Sequence, residues 1–141
     1  PLFGSQTVAV VTTMTLASDA AGPWVAYNNG NFLGLARGWN GDSWEHIGSD
    51  GTYTDRGYSP GPIRAATDSD GRRAVMFNGG DAEFGLITRV LDTTEWTDLG
   101  PRTPLESNSN VRADLLPGPE GVLHRTYTIG GSEPRVTVEV F

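Results

Sequence analysis

The sequence predicts an all-β protein assembled from three units of about fifty residues each. Three observations carry this expectation. Tyr27, Phe77 and Tyr127 fall fifty residues apart, and so do Gly30, Gly80 and Gly130. Short runs of apolar, β-branched and aromatic residues alternate with clusters of Gly, Asn, Asp and Pro, the composition of short strands joined by tight turns. No stretch holds a 3.6-residue apolar period over the roughly ten residues that a helix requires.

The elements follow in order. Residues 1–13 form an N-terminal arm whose "QTVAVV" reads as a strand without a counterpart in the later units. Unit one, about 14–61, offers "MTLAS", "PWVAY", "FLGLARGW" and "SWEHI". Unit two, about 62–109, offers "PIRAAT", "RAVMF", "FGLITRVL" and "EWTDL". Unit three, about 110–141, supplies only "NVRADLL", "GVLHRTYTI" and "PRVTVEVF", so the arm is expected to complete the last sheet, within one chain or between two. Gly22, Gly71 and Gly121 recur before the second strand of each unit. Ala17, Ala65 and Ala113 recur in the first, and Trp44 and Trp96 in the fourth strands of units one and two. "DSDG", "NNGN" and "NGG" read as hairpin turns, where Gly and Asn tolerate positive φ. Copies of such a unit bury their faces only by packing on one another, which is the physical sense of the repetition.

At 141 residues the chain is one domain's length, enough to enclose a core. All ten basic residues are Arg, set against 17 acidic ones, for a net charge of −7. That balance suits a phosphate backbone poorly, so no nucleic-acid partner is expected. Without Cys there is neither a disulfide framework nor a thiolate site. No apolar run approaches the ~20 residues of a membrane span, so membrane insertion is not expected. The opening "PLFGSQTVAVV" lacks the basic and apolar regions of a signal peptide, which predicts a virion or cytoplasmic location.

The motifs tested for chemistry favour none. "GYSPG" (57–61) has the G-x-S-x-G form, but Pro60 follows the serine and has no N–H to give an oxyanion, and no helix pattern follows. "TDSDG" (67–71) places two carboxylates beside Gly71, too few for a calcium site, and reads as a turn. His46 and His124 are 78 residues apart without ligand-spaced neighbours. No catalytic residue, metal or cofactor is expected. Of the aromatics, Trp44 and Trp96 are expected to fill equivalent core positions. Tyr53 and Tyr58, in the Gly-rich loop "SDGTYTDRGYSPG", together with Trp39, Arg37 and Asp42, are the candidates for contacting a ligand such as a glycan.

The segments "VAYNNGNFLGLARGWNGDSWEHIG" and "PIRAATDSDGRRAVMF" resemble bacterial β-propeller blades. This implies a four-stranded antiparallel sheet per unit, with a β-trefoil, a β-prism or an irregular sandwich as alternatives. "FGSQTVAVVTTMTLASD" resembles the opening of some tailed-phage virion structural proteins. Together these imply a non-catalytic, oligomer-forming structural or recognition component of a larger assembly, partnered by further copies or other structural proteins. The alternative is a free-standing lectin with shallow aromatic sites on its repeats.

Overall fold

In the computed structural model, the described residues are 13–29, 33–49, 51–54, 63–79, 85–105, 111–129 and 135–141. They form three antiparallel sheets. Sheet 1 is the meander β1 (Met14–Asp19), β2 (Gly22–Asn28), β3 (Gly34–Trp39) and β4 (Trp44–His46). Sheet 2 runs β5 (Arg64–Thr67), β6 (Arg73–Gly79), β7 (Gly85–Asp92) and β8 (Glu95–Asp98), with β9 (Thr103–Pro104) also pairing with β7. Sheet 3 is β10 (Val111–Pro117), β11 (Leu123–Ile129) and β12 (Arg135–Val140). A single 3-10 turn, Pro119–Gly121, is the only helical element among the described residues. No sheet closes into a barrel among those residues, so the trefoil alternative is not what they form. The "QTVAVV" segment lies outside the described residues, but the arm's last residue is placed. The Asn28 N–H donates to the Thr13 carbonyl (3.1 Å), which extends the β1–β2 ladder by one residue.

The sheets stack face on face in chain order. For clarity, each sheet's front face is the one turned toward the preceding sheet and its rear face the one turned toward the next. The rear face of sheet 1 (Trp24, Ala26, Ala36) packs on the front face of sheet 2 (Val75, Phe77, Ile87), with Ile47, Tyr53 and Ile63 in the same core. The rear face of sheet 2 (Ala74, Met76, Leu86) packs on the front face of sheet 3 (Ala113, Leu115, Leu123, Tyr127) in a second core. β5 touches β1 on one side and β10 on the other, so the three opening strands lie together. Sheet 2 is thus covered on both faces, and its "AVMF" run is buried continuously from Ala74 to Phe77. β2, covered on one face only, alternates between buried and half-buried residues.

Sheets 1 and 2 correspond in register. A shift of 52 residues carries Arg37↔His46 and Trp39↔Trp44 onto Arg89↔Asp98 and Leu91↔Trp96. The same shift carries the Ile47 N–H to Ala36 carbonyl bond (3.0 Å) onto the Leu99 to Thr88 bond (2.8 Å). Gly22, Gly71 and Gly121 have φ of 130°, 83° and 74°, values that L side chains rarely adopt, which accounts for their recurrence at the turns. The alanine series does not correspond. Ala17 lies opposite Trp24, Ala65 opposite Val75 and Ala113 opposite Tyr127, and Ala17 therefore sits on the other face from its supposed counterparts. β9 was not anticipated in unit two. It takes the half of the β7 edge that β8 leaves open, pairing Thr103 with Leu86.

Polar groups lock the stack. Arg73 at the start of β6 reaches Asp19 at the end of β1. Burial raises the Asp19 carboxyl, but the Arg73 hydrogen bond, the Ala21 amide, the Arg73 charge and the Gly22 amide outweigh it and hold the group below its ordinary value. On the other side, "TDSDG" is the turn expected. The Asp68 Oδ1 accepts from the Asp70 and Arg72 amides (3.0 and 2.8 Å). Arg72 then donates to the Gly121 carbonyl (3.1 Å), tying this turn to sheet 3.

Candidate functional site

The ligand candidates separate once folded. Arg37 and Trp39 alternate with buried Ala36 along β3, which puts them on the front face of sheet 1, away from sheet 2. Trp44 lies opposite Trp39 in the ladder, and the two rings meet at 5.7 Å with a 56° tilt. Asp42 is exposed in the β3–β4 turn. Asn40 shapes that turn: its Oδ1 accepts from the Asp42 and Ser43 amides (2.9 and 2.8 Å), and its Nδ2 donates to Glu45 (2.7 Å). Arg37, Trp39, Trp44 and Asp42 therefore share one end of one face. Tyr58 lies outside the described residues.

Tyr53 does not join them. Its residue is 1% exposed, and its ring packs between sheets 1 and 2 against Phe77 (5.3 Å) and Trp96 (6.0 Å). The segment that carries it turns back along β3, where the Tyr53 N–H donates to the Gly34 carbonyl (3.0 Å). The ring occupies the space that a side chain at Gly34 would need. Tyr53 is a core residue rather than a ligand contact.

The two tryptophans expected to be core are equivalent in register but not in environment. Trp96 packs against the first core and its Nε1 donates to the Ile47 carbonyl (3.4 Å). Trp44 faces outward from sheet 1, half-buried beside Trp39.

A second feature was not singled out from the sequence. Among the described residues, the exposed large apolar side chains are Met14 (67%), Leu16 (66%), Leu116 (47%), Val136 (73%), Val138 (57%) and Val140 (61%). Strand alternation assigns every one of them to the two outermost faces of the stack. Met14 and Leu16 lie on the front of sheet 1, beside Tyr27 and Val25 in the ladder. Leu116, Val136, Val138 and Val140 lie on the rear of sheet 3, ranged across β10 and β12 around His124, Thr126 and Thr128 of β11. Exposed apolar side chains gathered on a sheet face are the chemistry from which interaction surfaces are built.

The titratable residues offer less. His46 is exposed on β4 and His124 half-buried on β11. Among the described residues no group of three or more His, Asp or Glu side chains is placed to hold a metal ion, and no helix is long and apolar enough to cross a membrane. In comparison with known proteins, no family model matches the chain and no curated protein matches it significantly. The arrangement supports recognition through apolar and aromatic surface, with Arg37 and Asp42 supplying charge at one margin.

Proposed function

We propose that the chain is a non-catalytic β-repeat protein that forms oligomers and serves as a structural or recognition component of a larger assembly, of the kind found in a phage-type virion. The observation that carries this reading is the confinement of exposed large apolar side chains to the two ends of the stack. The strands that present most of them, β1 and β12, are each paired on only one side among the described residues, and an open strand edge invites a further chain. The resemblance of "FGSQTVAVVTTMTLASD" to the start of phage virion proteins supports the same reading. Light scattering on a sizing column tests it. A defined mass that is a multiple of 15.1 kDa supports the reading, and a monomer at every concentration counts against it.

A second reading, a lectin, has one observation in its favour. Arg37, Trp39, Trp44 and Asp42 gather at one end of sheet 1, and an aromatic ring flanked by polar groups suits the apolar face of a sugar. Binding on a glycan array, competed by free sugar and lost in Trp39→Ala, would support it.

A further inference from the structure

We propose that the rear face of sheet 3 docks on the front face of sheet 1 in a second copy of the chain, repeating the packing that already joins sheet 1 to sheet 2 and sheet 2 to sheet 3. The proposal rests on the reading that the chain works through its exposed sheet faces. It adds the partner, the two faces and the direction.

The front face of sheet 1 carries the side chains of a buried face. Its cross-strand rows read Leu16–Val25–Arg37–His46, Tyr27–Leu35 and Trp39–Trp44. The front face of sheet 2 reads Ala65–Val75–Arg89–Asp98, Phe77–Ile87 and Leu91–Trp96. Position by position, Val meets Val, Arg meets Arg, Trp meets Trp, and Tyr–Leu matches Phe–Ile. On sheet 2 these residues are covered: Val75, Phe77 and Ile87 are 0%, 3% and 5% exposed. The cover is the rear face of sheet 1. Sheet 3 presents the third aromatic of the series, Tyr127, on its own front face, where sheet 2 buries it to 8%. Tyr27, the first, has no sheet before it among the described residues. The fifty-residue spacing thus marks the residue with which each sheet receives its predecessor.

The complementary surface is at the other end. The rear face of sheet 1 is apolar at Ala17, Ala26 and Ala36, and that of sheet 2 at Ala66, Met76 and Leu86. The rear face of sheet 3 places Leu116 on β10 and Val136, Val138 and Val140 on β12, all exposed, on either side of His124, Thr126 and Thr128 of the central strand. Among the described residues, each molecule therefore carries one front face without a rear and one rear face without a front. The surface that fits each one is present on another copy. Because the two faces differ, the contact is heterologous. It closes into a ring where the rotation per chain permits and continues as a filament where it does not.

Two charged variants test this. Met14→Glu with Leu16→Glu blocks the front, and Val138→Glu with Val140→Glu blocks the rear. All four positions are exposed, so the fold should survive, and a thermal melt by circular dichroism checks that it does. Should either pair unfold the chain, Leu16→Thr and Val138→Thr replace them with the same readings. The expected result is that each variant alone runs as a 15.1 kDa monomer, while an equimolar mixture forms a capped 1:1 pair of about 30 kDa, twice the chain mass. A mixture that stays monomeric overturns the proposal. So does either variant keeping the wild-type oligomer, which would leave the oligomeric reading standing but place the contact elsewhere. If the charged variants keep that oligomer and deletion of residues 1–12 abolishes it, the N-terminal arm makes the contact instead. A wild-type chain that is monomeric throughout overturns both readings.

Discussion

Arg125 lies opposite Glu139 across β11 and β12, and the guanidinium is wholly buried while its Nε donates to the carboxylate at 2.6 Å. The remaining donors are also engaged. One nitrogen donates to the Leu86 carbonyl and the Thr88 hydroxyl (3.3 and 3.2 Å), and the other to the Pro101 carbonyl and the Thr103 hydroxyl (3.2 and 3.0 Å). One side chain of sheet 3 thus satisfies the backbone of sheet 2 and of the segment that leads into β9. The Phe141 ring lies 5.0 Å from the guanidinium carbon.

Removing Glu139 leaves the buried Arg125 charge without its counter-charge, and removing Arg125 breaks every bond it makes to sheet 2 and to the segment before β9. Arg125→Ala is expected to destabilise the fold by about 3–5 kcal/mol, the range for a buried ion pair broken from one side. Urea unfolding of Arg125→Ala and Glu139→Gln checks this. A change below about 1 kcal/mol in Arg125→Ala would show that the interface does not depend on the pair.

The Asp19–Arg73 contact predicts a pH dependence. The folded carboxyl is held below its ordinary value of 3.8, so its contribution is present above that pH and is lost as pH falls through the lower folded value. Asp19→Asn should cost about 1.5–3 kcal/mol near neutral pH, as for a hydrogen bond to a charged group. It should also flatten the loss of stability below pH 4. Denaturant midpoints measured from about pH 2 to pH 7 would show whether the two curves converge in acid.

Trp44 and Trp96 should respond differently to the same change. In the front-blocked monomer, Trp96→Ala removes a ring from the first core and is expected to cost about 2–4 kcal/mol. Trp44→Ala in the same background is expected to cost less than about 1 kcal/mol, because no sheet covers it among the described residues. Equal losses would mean that Trp44 is already packed within the monomer.

Gly34→Ala is expected to destabilise by about 1–3 kcal/mol, since the added methyl meets the Tyr53 ring and Thr54. Tyr53→Ala in the same chain should recover part of the loss from relieved crowding. A double-mutant cycle reads the coupling, and additive losses would argue against the close approach.

The strands were legible because each one is short, alternating or wholly apolar, and bounded by turn residues. β9 was not, since two residues including Pro104 carry no period, and only the open half of the β7 edge makes them a strand. Tyr53 was misjudged for a related reason. A Gly-rich surround suggested an exposed loop, whereas its backbone pairs with β3 and carries the ring inward. Its counterpart at the same 52-residue shift, Leu105, is an aliphatic residue buried in the second core, and that was the available signal. Arg125 was also readable in principle. It alternates with Leu123 and Tyr127 along β11, which places it on the buried face, but a charged residue is seldom assigned there without knowing its partners.

Among the described residues, sheet 2 is covered on both faces, whereas sheets 1 and 3 are each covered by one neighbouring sheet. Sheet 1 can detach at the expense of one core, as can sheet 3, but sheet 2 cannot detach without opening two. Backbone amides of β6 should therefore be the slowest to exchange with solvent, released only when the whole molecule opens, while those of β1 and β12 exchange through partial openings from the ends. The molecule frays outward-in, and whatever covers its terminal sheets also sets the rate at which a protease finds it.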